Sequence, residues 1–141
     1  MAIFGLGNKS KETPADSAHT QYLLRQTAIK FDNNLADFQA VVASNMDFKI
    51  KQGSISSPNP ADYTAGYKKA YNYLRKMNSK AEIIKMYERD LSLPSAGVLE
   101  AIKALTNYFD SIEGKRDAFF RKNLDELVKN LKNSIGGYLK D

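Results

Sequence analysis

The chain has 141 residues, 43% hydrophobic and 26% charged, which fits one globular domain with a single core. It holds no cysteine, which excludes disulfides, thiolate metal sites and a cysteine nucleophile, and the single His19 supplies by itself neither a metal site nor a Ser-His-Asp triad. The net charge is +5, but sixteen of the 21 basic residues are lysines, hydrated point charges rather than the planar forks that grip phosphate, and this tempers a nucleic-acid reading.

Residues 1–16 carry Gly5, Gly7 and Pro14 without a sustained period and read as an arm, apolar at first, that ends where Asp16 or Ser17 can cap a helix. Its Ile3, Phe4 and Leu6 precede Lys9 and Lys11, a pattern suited to docking in a groove or at a membrane interface, against the plainer reading of a loose terminus. Met1 to Gly7 is too short for a signal-peptide core, and no apolar stretch approaches the ~20 residues of a membrane span, so a cytoplasmic protein is expected.

The first helix is expected over about 17–50. Leu24, Ala28, Phe31, Leu35, Phe38 and Val42 hold one seam at alternating spacings of four and three, and Lys51-Gln52-Gly53 followed by SISSPNP marks a C-terminal glycine and a loop. A second helix is expected over about 61–91, with Tyr63, Tyr67, Ala70, Leu74, Met77, Ala81, Ile84 and Leu91 in phase and Glu88 alone interrupting them. Ser79 and Glu82 have the spacing of a capping box, yet the apolar phase runs through Asn78 unshifted, which favours one continuous helix. Leu93-Pro94-Ser95 stops it, with Ser95 a suitable next cap.

In the last third, Val98, Ile102, Leu105, Phe109 and Ile112 form one series and Phe120, Leu124, Leu127 and Leu131 another, one residue out of register, with Gly114 between them. The phase slip favours two helices, about 95–113 and 115–135, over one kinked helix, and Gly136-Gly137 is expected to end the last, leaving 136–141 as a tail. The fold class that follows is all-α, an elongated antiparallel bundle of three to four long amphipathic helices over 17–135, the longest of them roughly 45 Å at ~1.5 Å per residue.

Function has to be sought on surfaces. Tyr67 to Lys80 (YKKAYNYLRKMNSK) holds five basic residues and no acidic one. Lys68, Lys69, Asn72, Arg75, Lys76 and Lys80 are expected on the face opposite Ala70, Leu74 and Met77, with Tyr71 and Tyr73 at its edges. Such a stripe suits an acidic protein partner, nucleic acid or an anionic membrane, while its plain reading is a solvated face. Asp110, Glu113 and Asp117 are spaced as carboxylates on one helix face, the way ferritin-like bundles reach a metal, but the companion histidine is missing and pairing of Asp117 with Arg121 at i+4 accounts for them better. No phosphate loop, dinucleotide fingerprint or nucleophile elbow is present, and neither catalysis nor a cofactor is expected.

Gly66-Tyr67 with Tyr87, the Leu93-Pro94-Ser95 junction, Ala101 to Phe109 and Leu124-x-x-Leu127-Val128-Lys129 resemble, across several gaps, the four-helix assembly factors and extrinsic subunits of photosystem II. An apolar N-terminus ahead of a basic helical hairpin also looks like membrane-remodelling filament proteins. These resemblances imply helical contact proteins and carry no residue role over. The function expected is that of a non-catalytic adaptor, assembly factor or structural component binding a protein with an acidic surface. Nucleic acid, an anionic membrane and a second copy of the chain are the alternatives.

Overall fold

A computed structural model describes residues 14–56, 58–115 and 117–140, with the side chains of 14, 15, 50 and 51 left aside. Ile3, Phe4 and Leu6 therefore lie outside the described residues. Four helices, α1 (Pro14–Asn45), α2 (Pro60–Asp90), α3 (Val98–Ser111) and α4 (Phe120–Leu139), make up the all-α fold, joined after α1 by a small hairpin of β1 (Lys49–Lys51) and β2 (Ser54–Ser56). The packing pairs are α1 with α2, α2 with α3, α3 with α4, and α4 back with α1, so the helices form a closed ring around one core. Each helix runs antiparallel to its neighbours: Asn45 approaches Gly66, Phe109 meets Tyr67, Ala96 meets Glu88, and Asp47 pairs with Arg121.

The seam of α1 is the one its spacing announces. Leu24, Ala28, Phe31, Leu35, Phe38, Val42 and also Met46 are buried. Its limits differ from expectation. The helix starts at Pro14, with Asp16 in its first turn, and ends at Asn45 rather than near Ile50. Beyond it, Lys49↔Ser56, Ile50↔Ile55 and Lys51↔Ser54 pair antiparallel, and the positive φ of Gln52 (53°) and Gly53 (79°) fits a two-residue hairpin turn. Gly53 is thus the glycine of a hairpin turn and not of a helix end.

α2 opens where Asn59 accepts the Ala61 N–H at 2.8 Å, with Pro60 in the first turn, where its missing donor costs nothing. It continues through Asn78 and Ser79, and Asn78 is satisfied by donating to Thr106 of α3 at 3.0 Å. Its buried series is Gly66, Ala70, Leu74, Met77, Ala81, Ile84 and Glu88. A Cβ at position 66 would collide with the Asn45 side chain and meet Met46 Cγ at 3.5 Å, so the absence of a side chain there lets α1 and α2 approach closely.

α3 begins at Val98, with Gly97 (φ 78°) rather than Ser95 at the cap; Ser95 Oγ instead accepts the Gly97 N–H at 3.2 Å. The helix ends at Ser111, and Gly114 adopts φ 68°, which glycine takes without a Cβ penalty. α4 then starts at Phe120, five residues later than expected, because Asp117 organises the turn before it: its carboxylate accepts the Phe119 N–H at 2.8 Å and the Tyr108 hydroxyl at 2.6 Å. The buried series of α4 is Phe120, Leu124, Val128, Leu131 and Ile135, so Val128 takes the seam place expected of Leu127. Gly136-Gly137 does not end this helix. Ile135 on one side and Tyr138 on the other are both packed against the core, and tertiary burial outweighs the roughly 1 kcal/mol per glycine of helix propensity.

Candidate functional site

The basic residues of α2 spread across its outer half, away from the buried Ala70, Leu74 and Met77. Lys68, Lys69, Asn72, Arg75 and Lys76 are exposed, while Lys80 is half-buried. At about 100° per residue, Lys68, Asn72 and Arg75 fall on the side of α2 turned toward α3, whereas Lys69, Lys76 and Lys80 fall with Tyr73 on the flank turned toward α1. Each row keeps one cation over one ring: the Arg75 guanidinium lies 5.1 Å from the centroid of Tyr71, and the Lys76 ammonium 5.2 Å from that of Tyr73. Such pairs contribute about 0.5–1 kcal/mol at exposed sites and hold the charged ends in place.

The α3-facing row borders a groove. Tyr63, Tyr67 and Tyr71 stand at i, i+4 and i+8 on the flank of α2, and with Lys68, Asn72, Arg75, Asp110 and Glu113 they line about 650 Å³ of open space that closes on Gly114. A smaller recess of about 190 Å³ shares Tyr63, Thr64 and Gly114 with it and is walled otherwise by Phe48, Pro58, Pro60 and Lys115. All three tyrosine hydroxyls are engaged, that of Tyr71 with Asp110 and the other two with backbone carbonyls. Tyr67 donates to the Phe109 carbonyl at 3.1 Å, and Tyr63 to the carbonyls of Ile112 and Lys115 at 3.4 and 3.3 Å. These carbonyls lie in and just after the last turn of α3, where helical partners run out, so the tyrosines cap that end, with the Tyr67 ring stacked on Phe109, Tyr63 packed on Phe48 and Arg75 over Tyr71.

The groove's electrostatics follow from this placement. Burial, then the Glu113 and Asp110 carboxylates, push the Tyr67 hydroxyl up to about 12. Tyr71 moves the same way through burial and its hydrogen bond to Asp110. Across the bundle, Tyr138 of α4 donates to Glu88, whose carboxylate also accepts the Ala96 N–H at 2.9 Å, and burial and that carboxylate raise the Tyr138 hydroxyl well above its usual range. Glu88, which only interrupts the apolar phase in the sequence, is thus the clasp between α2, the α2–α3 connection and α4. A lone carboxylate in an otherwise apolar seam is the signal that marks it.

The carboxylate trio separates. Asp110 and Glu113 border the groove, but Asp117 lies in the α3–α4 connection, and Arg121 pairs with Asp47 and with Asp125 (3.4 Å) rather than with Asp117. The Tyr108 hydroxyl and the Phe119 N–H hold the Asp117 carboxyl below its ordinary range. Among the described residues no cluster of histidine, aspartate and glutamate is arranged to hold a metal ion, and no helix is long and apolar enough to cross a membrane. No family model, curated protein or solved structure matches the chain.

The tyrosines carry a pH prediction. Tyr67, Tyr108 and Tyr138 all have folded hydroxyls raised above the unfolded value of 10.0, mainly by burial. The folded state therefore holds these protons more tightly. The stability they contribute is complete below pH 10 and is lost as pH rises from there through the folded values. Urea midpoints measured between pH 8 and pH 11.5 are expected to hold level and then fall, with the phenolate absorbance of the folded protein rising in separated steps. A level midpoint to pH 11.5, with all tyrosines ionising together near 10, would contradict this.

Proposed function

We propose that the protein is a non-catalytic helical-bundle contact protein, an adaptor, assembly factor or structural component, that binds an acidic surface of a partner protein through the outer face of α2. The observation that carries this reading is the setting of Lys68, Asn72 and Arg75 beside the 650 Å³ groove. No ion pair among the described residues ties down Lys68, Lys69, Arg75 or Lys76, so these cations remain available to a partner. Interfaces favour such an arrangement of tyrosine rings and an arginine. A nucleic-acid or anionic-membrane role would use the same cations, and it is disfavoured by Asp110 and Glu113 on the opposite bank, which repel a phosphate surface.

The test is charge reversal at four exposed positions, Lys68→Glu, Lys69→Glu, Arg75→Glu and Lys76→Glu, in one variant with an unchanged helical spectrum. Partners captured from native lysate by the wild type are expected to bind this variant at least about tenfold more weakly, and to leave the wild type as salt is raised. Equal, salt-independent capture by both proteins would rule the reading out, and a gel shift with DNA or RNA at low salt would replace it with the nucleic-acid one.

A further inference from the structure

The two banks of the groove carry opposite charge, and they do not neutralise each other. Lys68 and Arg75 stand on α2, Asp110 and Glu113 on α3, and no ion pair among the described residues joins them. The acidic bank is also locally unfavourable. Asp110 lies in the last turn of α3 and Glu113 just beyond it, at the negative end of the helix dipole, where a cation would be stabilising; no basic residue occupies that last turn. Between the banks are the rings of Tyr63, Tyr67 and Tyr71, with the hydroxyls of the first two held by carbonyls at and just beyond the end of α3 and that of Tyr71 by Asp110, whose carboxylate keeps further acceptor capacity.

We infer that the groove is a binding site for an extended peptide segment of a partner protein that carries both charges: a lysine or arginine seated between Asp110 and Glu113 beside the tyrosines, and an aspartate or glutamate reaching Lys68 and Arg75. This rests on the contact reading and names its ligand. The peptide cation gains the two carboxylates and the carbonyl end of α3 at once, two attractions that a purely acidic ligand would leave unused. The peptide carboxylate gains Lys68 and the guanidinium of Arg75, which its stacking on Tyr71 already orients. Apolar side chains, prolines among them, lie on the rings and continue toward Phe48, Pro58 and Pro60 in the adjoining recess. The open groove of about 650 Å³ has room for a few side chains.

The probe is a displayed library of random twelve-residue peptides selected on the purified full-length chain, with enriched peptides then titrated by fluorescence polarisation. Enriched sequences are expected to carry an acidic and a basic residue flanking aromatic or proline positions. Binding should fall about tenfold or more both in a Lys68→Glu, Arg75→Glu variant and in an Asp110→Lys, Glu113→Lys variant. The second variant should melt within a few degrees of the wild type, because the cations it places at the C-terminal end of α3 offset the lost Tyr71 hydrogen bond, and it should regain binding to a peptide whose basic residue is changed to glutamate. Enriched peptides that lack a basic residue, or that are indifferent to the Asp110 and Glu113 changes while still lost with Lys68 and Arg75, overturn the groove assignment and leave the contact reading standing. Binding that survives both variants, or a selection that enriches nothing, overturns it as well; an unaffected lysate capture by the four-charge reversal is the separate result that removes the contact reading itself.

Discussion

Alanine at position 109 is expected to destabilise the bundle by about 4 kcal/mol, the largest effect of any single truncation in this core. Phe109 comes from the shortest helix, yet its ring centroid lies 5.1 Å from Phe38 of α1, 5.8 Å from Tyr67 of α2 and 6.2 Å from Phe120 of α4. One side chain therefore touches all three of the other helices. Removing it empties a space whose walls are held by three separate backbones, and such walls relax little, so the cavity cost adds to the lost transfer energy. The melting temperature should drop by roughly 12 °C for a chain of this size. Urea denaturation checks this directly: the midpoint should fall with little change in slope, and a loss below about 2 kcal/mol would show that the ring is not the central packing element.

Glu88 is the second position where a large effect is expected. It is 4% exposed, and its carboxylate receives the Ala96 N–H and the Tyr138 hydroxyl. Leucine there would extend the apolar seam of α2 and look favourable on sequence grounds. It is nevertheless expected to cost about 3 kcal/mol, because two donors lose their acceptor at a largely buried site. The sign of the coupling is the sharper test. With Tyr138→Phe in the background, Glu88→Leu should cost clearly less, by about 1–2 kcal/mol, since removing both partners abolishes one of the unsatisfied groups. Strict additivity in a double-mutant cycle would mean that the contact contributes nothing beyond packing.

Much of the fold is legible from apolar phase alone. The α1 series from Leu24 to Val42 and the α2 series from Ala70 to Ile84 are buried as the spacing requires, and the phase slip after Ile112 coincides with the break between α3 and α4, where Gly114 has a positive φ. The parts that were hidden depend on partners distant in sequence. β1 and β2 offer only Ile50 and Ile55 as apolar residues, too few for an alternating pattern to register. Gly136-Gly137 carries a helix-ending signature, while the burial of Ile135, the packing of Leu139 and the reach of Tyr138 to Glu88 favour the helix there. In the same way the groove could not be read from α2 by itself. Its basic residues were visible as a charge run, but the division into two rows depends on which flank meets α3, and the tyrosines that looked like plain core positions are half-buried cap donors.

The close approach at Gly66 has a consequence for which pairings of α1 and α2 can exist at all. A seam that repeats every three or four residues is nearly blind to sliding: moving one helix by a heptad again lays apolar side chains on apolar side chains, at little cost in buried area. Gly66 removes that degeneracy. A slide of seven residues one way would bring Tyr73 opposite Asn45, and the other way Asn59, ahead of the helix. Neither leaves the gap that Asn45 and Met46 occupy against a residue with no side chain. One missing methyl group thus acts as the index mark of the longest helix pair, selecting a single alignment from several that the apolar pattern would tolerate.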